Sequence, residues 1–161
     1  MKKIFLTYGI GEGPSQKAAF DKALYDSGIS NYNHIMLSSV IPPDSQIIVG
    51  KIDWNDRKYG DRLYSVMSKY LQNTPGKEAW AGLGWVQDET LQGLFVEEHG
   101  KSETEVINRI NKSLKSMQSY RREKFGDINN KTIGVKCIKH PACAIVCAVY
   151  EVQGWEEIPE L

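Results

Sequence analysis

Apolar residues recur along the chain in short runs that are rich in β-branched and aromatic side chains and bounded by turn residues. Such runs predict β-strands. There are about eight of them, at 2–8, 34–41, 46–52, 62–71, 78–86, 91–98, 131–138 and 143–155. Pro75 and Gly76, between the fourth and fifth runs, predict a turn, and we expect these two strands to form a hairpin.

Apolar residues at helical spacing occur in only two segments. Residues 15–27 bring Phe20, Ala23 and Leu24 to one face, and Gly28 suits the left-handed position after a helix. The second segment begins at Ser102, three residues before Glu105, which is the spacing of a capping box. Its apolar face comprises Val106, Ile107, Ile110, Leu114 and Met117.

The order of these elements predicts an α+β fold. The strands between residues 34 and 98 follow one another without helical crossovers, which excludes a doubly wound parallel sheet. The economical packing is a four-layer α-β-β-α sandwich, in which two mostly antiparallel sheets lie face to face with one helix on each outer face. We expect one domain over residues 1–161, with an excursion loop at 51–61 and a short acidic tail.

Charge and hydropathy narrow the choice of partners. Twenty basic and twenty acidic side chains cancel, and no Lys/Arg block is longer than a pair. Neither a nucleic acid nor an anionic membrane is therefore expected as a partner, and a small molecule or a protein is favoured. The N-terminal apolar run is too short for a signal-peptide core and no run approaches a membrane span, so we expect a cytoplasmic protein.

Four residues near the C-terminus have a spacing that a metal site could use: Cys137, His140, Cys143 and Cys147. Structural zinc ligands usually lie on turns, whereas Cys143 and Cys147 fall inside a strand-like run where a small thiol packs well. We therefore expect core cysteines and no metal.

Gly9, Gly11 and Gly13 lie between the first strand and the first helix. A dinucleotide fingerprint needs its third glycine where this chain has Pro14, and a βαβ unit around it. We expect a tight strand-to-helix turn here and no nucleotide.

Three carboxylates are candidates for chemistry. Asp21 lies at the edge of the helical apolar stripe, where it is either a solvated side chain or a partner for a cationic ligand group. Glu97 and Glu98 end a strand and point to opposite faces. If Phe95 faces the core, Glu97 points the same way, and a desolvated carboxyl there could hold a proton; an exposed strand end is the alternative.

Ser38 and Ser39 stand at the end of an apolar run, just before Pro42 and Pro43. Taken alone the pair is a polar strand end, and no strand-to-helix elbow surrounds it as a hydrolase serine would require. The other interpretation is self-processing, in which the Ser39 hydroxyl attacks the Ser38 carbonyl. This reaction needs a strained peptide between rigid elements and an oxyanion donor, for which the amide of Asn33 is a candidate.

Three segments carry motifs that occur together in one known family. They are AAFDKAL at 18–24, SGISNYNHIMLSSVIPP at 27–43 and GLFVEEHG at 93–100. In combination they resemble the pyruvoyl-dependent arginine decarboxylases, and the predicted order of elements agrees with that family from Lys2 to about Val152.

The resemblance implies an enzyme that cleaves itself into a short chain, 1–38, and a long chain, 39–161. Ser39 would become a covalently bound pyruvoyl cofactor. This group would form a Schiff base with L-arginine, which would then release CO2 and agmatine. The resemblance also implies trimers of cleaved protomers with active sites at the subunit interfaces, and leaves a dimer of trimers open.

Site roles are implied residue by residue. Asp21 would pair with the substrate guanidinium and Leu24 would line the pocket. Asn33 would support processing and hold the substrate, and Glu97 would be the proton donor. Backbone contacts with the substrate are implied at two further positions, Ser30 and Tyr32.

Two alternatives share this fold. One is a pyruvoyl-dependent decarboxylase of histidine or another amino acid, in which Asp21 meets a different cation. The other is a trimeric binding protein that is never processed, and replacing Ser39 with alanine would leave its behaviour unchanged.

Overall fold

The computed structural model describes residues 1–159, so the last two residues of the predicted long chain lie outside the described range. Nine strands and two helices are found there. Neither helix is long and apolar enough to cross a membrane. In chain order the elements are β1 (Lys2–Glu12), α1 (Gln16–Asp26), β2 (Asn33–Met36), β3 (Val40–Ile41), β4 (Ser45–Val49), β5 (Arg62–Gln72), β6 (Glu78–Gln87), β7 (Gly93–Gly100), α2 (Glu103–Ser119), β8 (Asn129–Lys136) and β9 (Ala142–Gln153).

The strands form two sheets. The five-stranded sheet has the order β2-β5-β9-β1-β4 and the four-stranded sheet the order β3-β7-β6-β8. Only the outer pairs β1·β4 and β2·β5 are parallel. Helix α1 packs on the five-stranded sheet and α2 on the four-stranded one. The predicted four-layer sandwich of mostly antiparallel sheets is confirmed.

Strand β9 shows why the sheets pack in this way. Its side chains are apolar on both faces, as expected for a strand that is covered on both sides. Ala144, Val146 and Ala148 face the core between the sheets, where Phe95 of β7 is also buried. The residues between them face α1, where Cys143, Ile145 and Cys147 contact Ala19, Ala23 and Leu24.

The glycines of β1 allow α1 to lie directly on the strand. β1 continues through Glu12, so the predicted tight turn at Gly9 and Gly11 is wrong. A Cβ atom at Gly9 would lie 2.3 Å from the carbonyl oxygen of Ala23, and one at Gly11 would lie 2.4 Å from the nitrogen of the same residue. Any larger residue at either position would push the helix away from the sheet.

Strands β5 and β6 lie in different sheets, so the predicted hairpin is also wrong. The turn itself lies where expected, and Gly76 has a φ of 82°. Its N–H donates to the carbonyl of Cys137 at 2.8 Å, and the N–H of Cys137 donates to the carbonyl of Lys77 at 2.8 Å. Pro-Gly chemistry reverses the chain but does not select the pairing partner, and β5, apolar on both faces, pairs with β2 and β9 instead.

The run predicted as one strand at 34–41 is divided between the sheets. β2 ends at Met36 on one edge of the five-stranded sheet, and β3 begins at Val40 on one edge of the four-stranded sheet. Residues 37–39 therefore cross from one sheet to the other, and we call them the crossing segment.

Candidate active site

The Ser38-Ser39 pair lies in the crossing segment and is held from both sides. The N–H of Leu37 donates to the carbonyl of Ser65 at 2.8 Å, and the N–H of Phe95 donates to the carbonyl of Ser39 at 2.8 Å. Ser39 has a φ of 54°, in the left-handed region. A residue other than glycine adopts this conformation at a cost of about 1–2 kcal/mol. The peptide is thus strained and lies between two rigid elements.

The hydroxyl of Ser39 is bonded to a carboxylate. Its Oγ donates to Oε1 of Glu97 at 2.6 Å. Glu98 lies on the opposite face of β7, where its Oε1 accepts a hydrogen bond from Ser113 of α2 at 2.8 Å. The structure therefore brings Ser39 and Glu97 together and leaves Glu98 apart. Glu97 is exposed in the protomer, so the desolvation expected from the strand pattern is absent from the single chain.

Asn33 opens β2 and its side chain is bonded away from the serine pair. The amide Nδ2 donates to the carbonyl of Gly60 at 2.6 Å, and the indole N–H of Trp155 donates to the same oxygen at 2.8 Å. Among the described residues no hydrogen bond joins the Asn33 amide to Ser38 or Ser39. In this chain the predicted oxyanion donor is therefore not in contact with the peptide between Ser38 and Ser39.

Asp21 and Leu24 lie in the α1 layer on the outer face of the five-stranded sheet. Asp21 is exposed to solvent, whereas Leu24 is 6% exposed and packs on the sheet. Both residues lie on α1, three positions apart, and this helix belongs to a different layer from Ser39.

Ser30 and Tyr32 use their side chains to hold the excursion loop at 51–61. The Ser30 hydroxyl donates to Oδ1 of Asn55 at 2.8 Å, and the Tyr32 hydroxyl donates to the carbonyl of Trp54 at 2.9 Å. The backbone N–H of Ser30 also donates to Oδ1 of Asn55, at 2.9 Å, and the substrate contacts expected at these two positions stay a prediction.

A cavity of about 430 Å³ opens beneath the excursion loop. Phe5, Tyr32 and Trp54 supply aromatic surface, and Arg57 and Asp61 supply charge. Two further cavities, of about 460 and 240 Å³, lie beside the end of α1 and beside β3. Neither Ser39 nor Glu97 lines any of the three, so none of them encloses the serine and the carboxylate that the structure brings together.

One polar group at the crossing segment, the hydroxyl of Tyr150 on β9, was not among the residues predicted from the sequence. It donates to the carbonyl of Val40 at 2.9 Å. Burial, together with the negative charge of Glu97, raises the pKa of this phenol. The group is therefore a protonated donor at any physiological pH. In the sequence only an aromatic residue near the end of an apolar strand marks it, and that signal is equally typical of a core residue.

The cysteines are core residues, as predicted. Cys137, Cys143 and Cys147 are buried and free. Burial raises the pKa of the last two thiols to about 12. Within residues 1–159 no group of three or more His, Cys, Asp or Glu side chains is arranged to hold a metal ion.

Comparison with known proteins identifies the class to which the sandwich and its strained serine peptide belong. A sequence model of the family described as pyruvoyl-dependent arginine decarboxylase (PvlArgDC) matches residues 3–153. The class is that of the pyruvoyl-dependent enzymes. The chain belongs to the pyruvoyl-dependent arginine decarboxylase family, which confirms the resemblance seen in the sequence.

Curated relatives support the same family. Pyruvoyl-dependent arginine decarboxylase 2 of Archaeoglobus fulgidus is 28% identical over 102 residues, which are 62% of this chain and 65% of the relative. Decarboxylase 1 of the same organism is 32% identical over 101 residues, or 62% and 64% of the two chains. The pyruvoyl-dependent arginine decarboxylase of Methanocella arvoryzae is 32% identical over 107 residues, or 65% and 64%. The aligned part spans just under two thirds of each relative's length.

Proposed function

We propose that this chain cleaves itself between Ser38 and Ser39 and thereby becomes an enzyme that decarboxylates L-arginine to agmatine and CO2. The observation that carries the proposal is Ser39 itself. A non-glycine residue is held in the left-handed region between two sheets, with its nucleophilic oxygen bonded to the carboxylate of Glu97. Such strain is found where the surrounding structure enforces it, and it concentrates at functional sites.

Self-cleavage begins when Oγ of Ser39 attacks the carbonyl carbon of Ser38. The C–O bond forms as the C–N bond breaks, so the amide becomes an ester and the nitrogen of Ser39 becomes a free amine. Loss of the α-proton of Ser39 and breakage of its Cβ–Oγ bond then release the Ser38 carboxylate and leave a dehydroalanine. Water replaces the amine nitrogen, ammonia leaves, and residue 39 becomes a pyruvoyl group without any oxidant or reductant.

The strain at Ser39 favours the first of these steps. Release of about 1–2 kcal/mol of backbone strain in the transition state accelerates a reaction by roughly five- to thirtyfold. The two backbone hydrogen bonds on either side of the serine pair keep the chain from relaxing before attack.

The residues around Ser39 fit a pyruvoyl group at this position. When present, that group supplies a ketone for the substrate amine and, next to it, an amide carbonyl that withdraws electrons. The N–H of Phe95 is already bonded to the carbonyl of residue 39 and stabilises negative charge on that oxygen. The carboxyl of Glu97 is bonded to Oγ of residue 39 before processing, and from this place it can hold the proton that the substrate α-carbon receives.

Selection of arginine is assigned to Asp21. A carboxylate and a guanidinium form two parallel hydrogen bonds, a geometry that the ammonium of lysine does not offer. Leu24 supplies apolar surface next to it. Because Asp21 lies in the α1 layer and Ser39 in the crossing segment, we assign the two to one site formed by different protomers.

A trimer of cleaved protomers, with a site at each interface, meets this requirement, and a dimer of trimers remains an alternative. The side chains that flank the serine pair support it, since Ile35 is 37% exposed, Met36 54% and Val40 60%. Exposed apolar side chains that lie together are typical of protein interfaces. The free, buried cysteines are consistent with a reducing, cytoplasmic compartment.

CO2 release across a panel of amino acids tests the proposal. Purified protein is incubated until chain cleavage stops, and is then assayed with L-arginine, L-lysine and L-histidine beside a Ser39→Ala control. We expect CO2 and agmatine from arginine alone, and no release by the control. Release from histidine instead would change the substrate, and a fully cleaved protein that releases CO2 from no amino acid would contradict the proposed activity.

A further inference from the structure

Strand β9 contains an irregularity beside the crossing segment. Its register with β5 steps from Val149 opposite Ser65 to Glu151 opposite Tyr64, which leaves Tyr150 without a partner. The step is a β-bulge with Tyr150 as the extra residue. Bulges re-aim a side chain and are over-represented next to active sites.

The Tyr150 ring lies in the space between the two sheets, on the same face of β9 as Val146 and Ala148. The ring packs edge-on against Phe95, with centroids 6.2 Å apart at an interplanar angle of 67°. Beyond the bulge, Val152 packs on the opposite side of the sheet, against the α1 layer. The alternation of β9 is therefore regular up to Tyr150 and changes face after it, so Tyr150 is the last side chain of the strand that faces the space between the sheets.

The Tyr150 hydroxyl completes a set of three hydrogen bonds around the serine pair. On the N-terminal side of the pair, the N–H of Leu37 donates to the carbonyl of Ser65. Within the pair, the carbonyl of Ser39 accepts from the N–H of Phe95. The carbonyl of Val40 accepts from Tyr150 at 2.9 Å. Two successive carbonyls on the C-terminal side are thus fixed in direction. Of these three bonds only the one from Tyr150 depends on a side chain.

We propose that Tyr150 is a positioning residue for self-cleavage, which holds the Val40 carbonyl and so keeps Ser39 in its left-handed conformation. The inference rests on the proposed function. The angle φ of Ser39 sets how close its Oγ can come to the carbonyl carbon of Ser38. Without the phenol, the exposed Val40 carbonyl can bond to water, the segment can rotate, and the strained conformation becomes less populated.

The test is the rate of cleavage of Tyr150→Phe, which keeps the ring and its contact with Phe95 but removes the hydroxyl. Tyr64→Phe is the matched control. It also removes a tyrosine hydroxyl next to the bulge, but that hydroxyl is bonded to Oε1 of Gln153 at 2.8 Å and not to the crossing segment. Each full-length protein is labelled in a short pulse of cell-free synthesis. Its conversion to chains 1–38 and 39–161 is followed by electrophoresis, and Tm is measured in a Ser39→Ala background.

We expect Tyr150→Phe to cleave about tenfold more slowly than wild type, which corresponds to about 1.4 kcal/mol in the barrier. Its Tm should match that of Tyr64→Phe, which should cleave at the wild-type rate. Once cleaved, it should keep the wild-type KM for arginine, since the hydroxyl is assigned no contact with substrate.

Two results would overturn the inference alone: cleavage of Tyr150→Phe at the wild-type rate, or an equal slowing in Tyr64→Phe, which would indicate general destabilisation of β9. A wild-type chain that never cleaves would instead overturn the proposed function, and this inference with it.

Discussion

Replacing one carboxylate at a time on β7 tests whether Glu97 is the proton donor, as we propose, or Glu98 is. Glu97→Gln and Glu98→Gln change a single oxygen to nitrogen and keep the size of the side chain. The Oε1 of Glu97 lies 2.6 Å from Oγ of Ser39, whereas the Oε1 of Glu98 lies 2.8 Å from Oγ of Ser113 on the other face of the strand. Alternation prevents both carboxylates from serving residue 39, so the two variants should differ sharply.

The expected size of the difference follows from general acid catalysis. A positioned acid contributes about 100- to 10,000-fold. We therefore expect kcat of Glu97→Gln to fall by at least about 100-fold, or about 3 kcal/mol. An amide at 98 can still accept from Ser113, so Glu98→Gln should stay within about threefold of wild type.

The assay is CO2 release from L-arginine at saturation, divided by the amount of cleaved chain in each sample. This normalisation separates an effect on decarboxylation from an effect on cleavage. A Glu97→Gln enzyme with near wild-type turnover per cleaved chain would refute the assignment, and a large loss in Glu98→Gln alone would transfer the role to that residue.

Three further results follow from the structure. Asp21→Asn should raise KM for arginine by about 10- to 100-fold, because a charge-assisted bond contributes about 1.5–3 kcal/mol; unchanged KM with normal chain cleavage would exclude Asp21 from the site. Burial lowers the pKa of His34 below its usual 6.5, although its hydrogen bond to the Ile29 carbonyl acts in the opposite direction. The His34 imidazole therefore binds a proton more readily in the unfolded chain than in the folded one. The free energy of unfolding of an uncleavable Ser39→Ala chain should therefore decline as pH falls through that value, and His34→Gln should flatten the profile measured between about pH 8 and 5. Gly84→Ala should lower the free energy of unfolding of the same chain, measured in urea, by about 1–3 kcal/mol, because the added Cβ would lie 2.1 Å from Cγ2 of Ile110. Gly50→Ala is the control: its added Cβ would meet no atom within 4 Å, so it should change this free energy by less than about 0.5 kcal/mol.

The sandwich was predictable because its helices and its periodicity are local features of the sequence. Ser102 caps α2 as expected, and its side chain accepts from the N–H of Glu105 at 3.2 Å. The apolar stripe through Ile110 and Leu114 packs on the four-stranded sheet. With strands that lacked crossovers, two sheets with a helix on each outer face were the economical way to bury these stripes.

Strand pairing was less predictable because it is decided by distant residues. The turn at Gly76 has the expected backbone conformation, yet it joins two sheets and not two strands of a hairpin. Gly9 and Gly11 are typical turn residues, but they lie inside β1, where the absence of a side chain lets the backbone of α1 pack directly on the strand. The bulge at Tyr150 depends on the register between two strands that are far apart in the chain.

In the candidate site, too, local features were predictable from the sequence and contacts between distant residues were not. The alternation of β7 predicted which face Glu97 occupies, and the structure joins that residue to Ser39. The separation of Asn33 and Asp21 from the serine pair could not be read from the motifs, because a motif records sequence order and not the distance between side chains in the folded chain.

Intact mass spectrometry of the purified protein shows whether the chain cleaves itself between Ser38 and Ser39. We expect two chains, residues 1–38 with a free carboxyl at Ser38 and residues 39–161 lighter than a serine-terminated chain by the mass of ammonia. A single unbroken chain after prolonged incubation, with Ser39 unchanged, would contradict it.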